Sequence, residues 1–192
     1  MRSVDAIQRL VDGNQRFVDG RRDPGIGSEA RRVEVAEGQT PFAVILGCSD
    51  SRAPAEILFD QDLGDLFVVR VAGNVATSTE IGSIEFAVAK FGSGLIVVLG
   101  HSQCGAVAAT LGARGGGDTG SEHIQCLVDL IAPAIDGIDD IAEAVKANVR
   151  HVQQRLLDQS QILRNKVADG SLTIVGAEYS LETGRVEFFE AQ

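Results

Sequence analysis

Three short apolar runs constrain this chain more than any other feature: PFAVILG at residues 41–47, LFVVRVAG at 66–73 and GLIVVLG at 94–100. Each is rich in Val, Ile and Leu and is bounded by Gly or Pro. Strands of this composition have no polar face, so both faces need cover, as in a parallel sheet between helices. The stretches between them carry helical signals. Pro54 suits the first turn of APAEILF. Thr77 and Glu80 have the spacing of a capping box, and Ile81, Ile84, Val88 and Phe91 follow on one stripe that Gly92 ends. Strand, helix, strand, helix, strand predicts right-handed parallel crossovers.

The rest of the chain fits around that frame. SVDAIQRLVDGNQRFV predicts an N-terminal helix capped by Ser3, with Val4, Ile7, Val11 and Phe17 or Val18 on one stripe. DGRRDPGIGS breaks it, and SEARRVEVAEG predicts a short helix. Beyond the third strand, GARGGGDTG (112–120) reads as a flexible loop. SEHIQCLVDLIAPAI and DDIAEAVKANVRHVQQRLLD read as helices, and Ser160 caps a further one ending at Gly170. SLTIVGAEYSLETGRVEFFE predicts two strands around the turn LETG. No internal repeat, low-complexity tract or interdomain linker interrupts the order. The expectation is an α/β fold with a mostly parallel central sheet flanked by helices: three or four parallel strands plus a C-terminal antiparallel strand. It forms one domain over 1–192, with an N-terminal helical arm (1–35) and an α/β core (41–192).

Composition narrows the function. A chain of 192 residues, 44% of them hydrophobic, can bury a real core without disulfides. A formal charge of −10 speaks against a nucleic-acid partner and for a small or neutral substrate. Three cysteines without a secreted spacing pattern read as reduced thiols, hence a cytoplasmic location. The N-terminal stretch MRSVDAIQRLVDGNQRF is broken by charges throughout, so it reads neither as a signal peptide nor as a membrane span.

The chemistry sits where strands end. GCSDSR (47–52) follows the first apolar run and places Cys48, Asp50 and Arg52 within five positions. GHSQCGA follows the third run and places His101 and Cys104 there. In open α/β sheets, ligands bind beyond the carboxyl ends of strands where the connections diverge. Two thiolates and an imidazole suit zinc, and three protein ligands leave a fourth position open, as in catalytic sites. A lone Cys after a core strand is otherwise a small buried hydrophobe. A second His-x-x-Cys pair, His123 and Cys126, lies in an amphipathic pattern with Ile124, Leu127 and Leu130. It has no strand end behind it and reads as ordinary helix. Arg52 follows Cys48 too soon for a phosphatase cradle, and no GxGxxG follows the first strand. On the residues alone, Asp50 and Arg52 are either a functional pair or a surface ion pair on a turn.

Together these motifs resemble the β-class carbonic anhydrases. CSDSR followed by GHSQCG is that family's paired signature, and GDLFVVRVAGN, GSIEFAV and IVGAEYSLETG are similar to it as well. The resemblance covers nearly the whole chain. It implies reversible hydration of carbon dioxide to bicarbonate and a proton, by a zinc-dependent carbonate dehydratase (a lyase) with one Zn2+ per chain. It makes Cys48, His101 and Cys104 the zinc ligands and Asp50 and Arg52 the catalytic pair, with Asp50 a conditional fourth ligand. Gln61 would sit in the substrate pocket across a dimer interface, and the backbone N–H of Gly105 near the substrate. The partners implied are carbon dioxide and bicarbonate, and a second copy of the chain in a homodimer or homotetramer, with no nucleic acid and no membrane. Because two thiolates cancel the metal's formal charge, activity is expected to rise on the alkaline side. Some family members carry a second bicarbonate site, with a tryptophan three positions before the first ligand cysteine. Here that position is Ile45, which argues against such a pocket even though Arg70 and Tyr179 match other parts of it. Two other functions share this pattern: a same-fold hydrolase of another linear triatomic such as carbon disulfide, and a catalytically silent zinc-binding scaffold. Neither His123 nor His151 can be assigned as a proton shuttle from sequence.

Overall fold

A computed structural model describes residues 1–114 and 116–189. Gly115 of the expected 112–120 loop and Glu190 at the end of the last expected strand lie outside the described residues. Five strands, β1 (Ala43–Gly47), β2 (Leu66–Arg70), β3 (Leu95–His101), β4 (Thr173–Tyr179) and β5 (Val186–Phe188), form one sheet in the order β2-β1-β3-β4-β5. The first four are parallel to their neighbours and β5 runs antiparallel to β4. This sheet falls within the expected three or four parallel strands plus a C-terminal antiparallel one.

Every residue of β1 and β3 is buried, as a run without a polar face requires. β2 differs. It is an edge strand, mostly half-buried and ending in an exposed Arg70, and it stops at Arg70 where the apolar run continued to Gly73. Residues Ala72–Asn74 turn instead into a short 3-10 segment with Gly73 at φ 70° and Asn74 at φ 45°. Two adjacent left-handed residues cannot stay in a strand.

The helices cover both faces. They are α1 (Ser3–Val18), α2 (Glu29–Glu34), α3 (Ala55–Leu58), α4 (Ser78–Phe91), α5 (Gly105–Ala113), α6 (Glu122–Ile131), α7 (Ile141–Gln159) and α8 (Gln161–Ala168). One face of the sheet (Ile45, Val97, Leu99, Val175, Ala177) packs on Ala6 and Leu10 of α1 and Leu58 of α3. The other (Val44, Leu46, Ile96, Val98, Ile174) packs on Ile81, Ile84 and Val88 of α4 and Val149, Val152 and Leu156 of α7. The capping box at Thr77 and Glu80 forms, and Gly92 ends α4 in the left-handed conformation. Ser160 caps α8 by accepting from Leu163 N–H at 3.1 Å.

The N-terminal helix differs from its sequence pattern in two ways. Arg2, not Ser3, stands at the N-cap, with no side-chain cap bond. The buried residues of α1 are Ala6, Leu10, Gly13 and Asn14, while Val4 is 60% and Val11 39% exposed. Ile7 and Phe17 of the expected stripe pack against the core, but Val4 and Val11 do not, so the buried face is rotated toward Ala6, Leu10 and Gly13. The reason is close approach: a Cβ on Gly13 would lie 1.8 Å from the Phe59 carbonyl oxygen, so the helix seats its smallest residue against the chain. No helix among the described residues is long and apolar enough to cross a membrane.

Candidate metal centre

β1 and β3 are neighbours, with β2 and β4 on their outer sides. The chain therefore leaves their carboxyl ends in opposite directions and opens a crevice between them. Cys48 follows β1 directly, and His101 is the last residue of β3. Cys104 is the N-cap residue of α5. The turn between His101 and Cys104 requires Gln103 at φ 55°.

Those three side chains converge. Cys48 is 6% exposed, His101 1% and Cys104 1%, and their ligand atoms all lie within 4.8 Å of one another. The two Sγ atoms are 4.0 Å apart. Tetrahedral zinc with Zn–S bonds of about 2.3 Å places two sulfurs about 3.8 Å apart, so the pair is already spaced for that ion. His101 Nδ1 lies 2.9 Å from the Ser102 carbonyl oxygen. A carbonyl only accepts, so Nδ1 carries the proton and Nε2 presents its lone pair. Nε2 is buried and has no hydrogen-bond partner. A buried acceptor of this kind, beside two thiols, fits a cation and little else. Soft sulfur and borderline nitrogen donors select zinc over magnesium or calcium.

The electrostatics agree. The hydrogen bond from Cys104 is the largest influence on Cys48. It acts against burial, is helped by His101 and by the backbone N–H groups of Asp50 and Gly73, and draws the thiol down to about 4. The same contact, with burial, pushes Cys104 up. Burial disfavours a charged His101, but the neighbouring Cys48, the Ser102 carbonyl and Asp50 outweigh it and raise its pKa.

Beside the donors stands Asp50. Its Oδ1 accepts from Arg52 N–H at 2.9 Å and Arg52 Nε at 2.9 Å, and its Oδ2 accepts from Arg52 Nη2 at 2.7 Å. Its side chain is 16% exposed, and Oδ2 lies 3.8 Å from His101 Nε2. The pair with Arg52 holds the carboxyl well below the usual carboxylate range. Arg70, which matches part of a second bicarbonate site but also fits a simpler structural role, clamps this loop. Its Nε donates to the Cys48 carbonyl at 2.9 Å and its Nη2 to the Asp50 carbonyl at 2.6 Å. Ile45 and Tyr179, the other positions of that comparison, are 0% and 6% exposed and belong to the sheet core.

Of the remaining candidates, Gly105 directly follows the donor Cys104, while Gln61 hydrogen-bonds elsewhere. Gly105 opens α5, and a Cβ added there would meet nothing within 4 Å. Gln61 is 3% exposed, and its Nε2 donates to the Phe59 carbonyl at 2.6 Å. It faces Gly13 of α1, and its Oε1 is buried without a partner. His123 and Cys126 are exposed on α6, and the one group of potential metal donors among the described residues is Cys48, His101 and Cys104. Sequence reading missed Gly73, whose N–H lies 3.3 Å from Cys48 Sγ. It also missed Asn148, whose Nδ2 lies 2.9 Å from the Gly73 carbonyl. Gly73 stands in the stretch GDLFVVRVAGN, but neither that stretch nor anything around Asn148 announces the contact, and only the fold brings them to the cysteine.

Comparison with known proteins gives a consistent result. A family model described as Carbonic anhydrase matches residues 43–186. The chain is 44% identical over 187 residues to carbonic anhydrase 2 of Mycobacterium tuberculosis, covering 95% of this chain and 90% of that one. It is 44% identical over 190 residues to the carbonic anhydrase of Mycolicibacterium smegmatis, covering 96% and 92%. Among solved structures it superimposes with a TM-score of 0.71 at 25% identity on a structure from Sordaria macrospora described as one of two tetrameric beta-carbonic anhydrases, covering 98% and 99%. Motif, fold, donor cluster and relatives agree, and the chain belongs to the β-class carbonic anhydrase family.

Proposed function

We propose that Cys48, His101 and Cys104 hold the zinc ion with which this carbonic anhydrase interconverts carbon dioxide and bicarbonate, and that Asp50 and Arg52 orient the reaction. The observation that carries this reading is the buried, partnerless His101 Nε2 beside two thiols already at zinc spacing. When bound, zinc supplies Lewis acidity and brings the ionisation of water into the neutral range. Asp50, kept ionised by Arg52, offers only acceptor lone pairs. It therefore accepts an O–H hydrogen and fixes which lone pair of that oxygen faces the carbon of carbon dioxide. Arg52 holds the carboxylate by a fork of two parallel bonds, which fixes its plane as well as its charge. Arg70 fixes the backbone on which Asp50 stands. An Asp50 that turned to bind zinc as a fourth ligand would have to leave Arg52.

Gly105, at the start of α5, is assigned on the family resemblance to place its backbone N–H near the substrate. Gln61 is assigned to the substrate pocket on the family resemblance, through a partner subunit. The chain acts as a dimer or tetramer of itself, a reading supported by the tetrameric relative. Two metal-binding thiols 4.0 Å apart must stay reduced to bind a cation, which supports a cytoplasmic location.

Elemental analysis of purified variants tests the metal site. Wild type and Cys126→Ser should carry one zinc per chain, while Cys104→Ser should lose most of it. A carbon dioxide hydration assay on the wild-type protein tests the reaction. Loss of zinc from Cys126→Ser, or a zinc-loaded wild type without hydration activity, would reject the reading.

A further inference from the structure

Gly73 stands at the centre of a relay that no motif announces. Its N–H points to Cys48 Sγ at 3.3 Å, and its carbonyl accepts from Asn148 Nδ2 at 2.9 Å. Asn148 is 1% exposed on α7, four residues before Val152. The turn that carries Gly73 has two successive positive φ angles, 70° at Gly73 and 45° at Asn74. Glycine takes this conformation without steric cost and asparagine tolerates it, so the turn is placed by what packs around it. Steric contact supplies one constraint, since a Cβ on Gly73 would meet Ile131 Cδ1 at 2.7 Å and Ala106 Cβ at 3.0 Å. Asn148 supplies the other, as the side chain that satisfies the Gly73 carbonyl. An amide hydrogen on a thiolate withdraws charge from the sulfur and favours its ionised form.

We propose that Asn148 is a positioning residue for the metal centre: by holding the Gly73 carbonyl it keeps the Gly73 N–H on Cys48 Sγ. This rests on the reading of Cys48 as a zinc ligand. Partners one step removed from a metal ligand govern its orientation and donor strength, and their loss typically weakens metal binding. Asn148→Leu keeps the approximate shape of the side chain and removes the donor. The Gly73 carbonyl then lacks its partner, the turn relaxes, and Cys48 loses its amide hydrogen bond.

The test compares zinc affinity by competition with a chromophoric chelator, and the sulfur-to-cobalt charge-transfer band of the cobalt-substituted protein. Asn148→Leu should bind zinc about tenfold more weakly and shift that band. Val152→Ala, buried on the same helix in the second core cluster, controls for lost packing. It should unfold at lower temperature while keeping wild-type zinc affinity and an unchanged band. Equal zinc affinity and equal bands in Asn148→Leu and wild type would overturn the proposal, as would an equal loss of affinity in Val152→Ala. Cys48→Ser separates the two levels of inference. If it keeps zinc, the ligand assignment itself fails. If it loses zinc while Asn148→Leu does not change, only the relay fails. Should Asn148→Leu not fold, wild-type protein loaded with cadmium decides. The Gly73 amide proton should show scalar coupling to the metal nucleus through Cys48 Sγ, and absence of that coupling would overturn the proposal.

Discussion

Asp50 receives three hydrogen bonds from one arginine, two from the guanidinium and one from the backbone N–H of Arg52. A surface ion pair would contribute little to stability at this exposure, since Arg52 is 54% exposed. The geometry instead spends its directionality on fixing the carboxylate plane beside His101. Asp50→Asn keeps the shape but can present an N–H where only an acceptor serves. It should retain zinc and lose about a hundredfold in hydration rate, the scale expected when a reacting group is no longer aligned. Arg52→Lys keeps the charge but not the fork, and about a tenfold loss is expected. Because Arg52 holds Asp50 below the usual carboxylate range, that group is ionised throughout the neutral and alkaline region. A rise of activity above neutral pH therefore belongs to another group and should survive in Arg52→Lys. Wild-type rates in Asp50→Asn, with zinc content unchanged, would refute the orienting role.

At the scale of elements, the site depends on how closely α7 lies on the sheet. A Cβ on Gly100 would stand 2.6 Å from Val149 Cγ2 and 3.2 Å from Val145 Cγ1. A Cβ on Gly176 would stand 2.8 Å from Val149 Cγ1 and 2.6 Å from Gln153 Oε1. These two glycines, on adjacent strands, admit the helix that carries Asn148. Gly100→Ala should force α7 outward and destabilise the fold by about 1–3 kcal/mol, the usual cost of overpacking. Gly100 precedes His101, the proposed ligand, so the variant should also lose zinc faster than wild type in a chelator chase. An unchanged melting temperature in Gly100→Ala would mean that the helix yields freely. These contacts show what the sequence could and could not reveal. The apolar runs disclosed β1 and β3 because a strand buried on both faces must be apolar throughout. Cys48, His101 and Cys104 were legible because they follow those strands directly. Gly73, Asn148 and Gly100 were not, because nothing local distinguishes a glycine beneath a helix from a glycine in a loop. Nor does sequence reveal which carbonyl a buried asparagine satisfies. The orientation of α1 was legible only in part for a related reason: Ile7 and Phe17 pack on the core as their spacing suggests, but Val4 and Val11 do not, because the missing side chain of Gly13 decides the contact.

For the whole molecule, the question is what the displaced stripe of α1 does. The helix is tied to its own core. Arg16 Nε donates to Asp60 Oδ2 at 2.5 Å, and the Asp60 side chain is 0% exposed. Arg9 Nη2 pairs with Asp65 Oδ2 at 2.5 Å. Asn14 Nδ2 donates to the Leu58 and Gly184 carbonyls at 3.1 and 2.9 Å, while its Oδ1 accepts from Val186 N–H at 2.8 Å, joining α3 to the final hairpin. Deleting residues 1–20 would therefore strip Ala6 and Leu10 from the core as well as any contact between subunits. A cleaner variant leaves those ties intact. Val4 and Val11 remain exposed on α1, and Ile57, Leu63 and Phe86 are 40%, 43% and 54% exposed elsewhere. Val4 and Val11, seven residues apart, share one face of α1, and that shared exposed face supports the proposal that the chain associates with itself. The double substitution of Asp for Val4 and Val11 places charge on that face without touching Ala6, Leu10, Asn14 or Arg16. It should keep the wild-type melting behaviour of the isolated chain and its zinc, yet weaken association by tenfold or more, about 1.4 kcal/mol or above. If Gln61 serves a neighbouring pocket, activity should fall with dilution in step with dissociation. Sedimentation run at assay concentration decides: a monomeric variant with full hydration activity would sever assembly from catalysis and remove Gln61 from the substrate site.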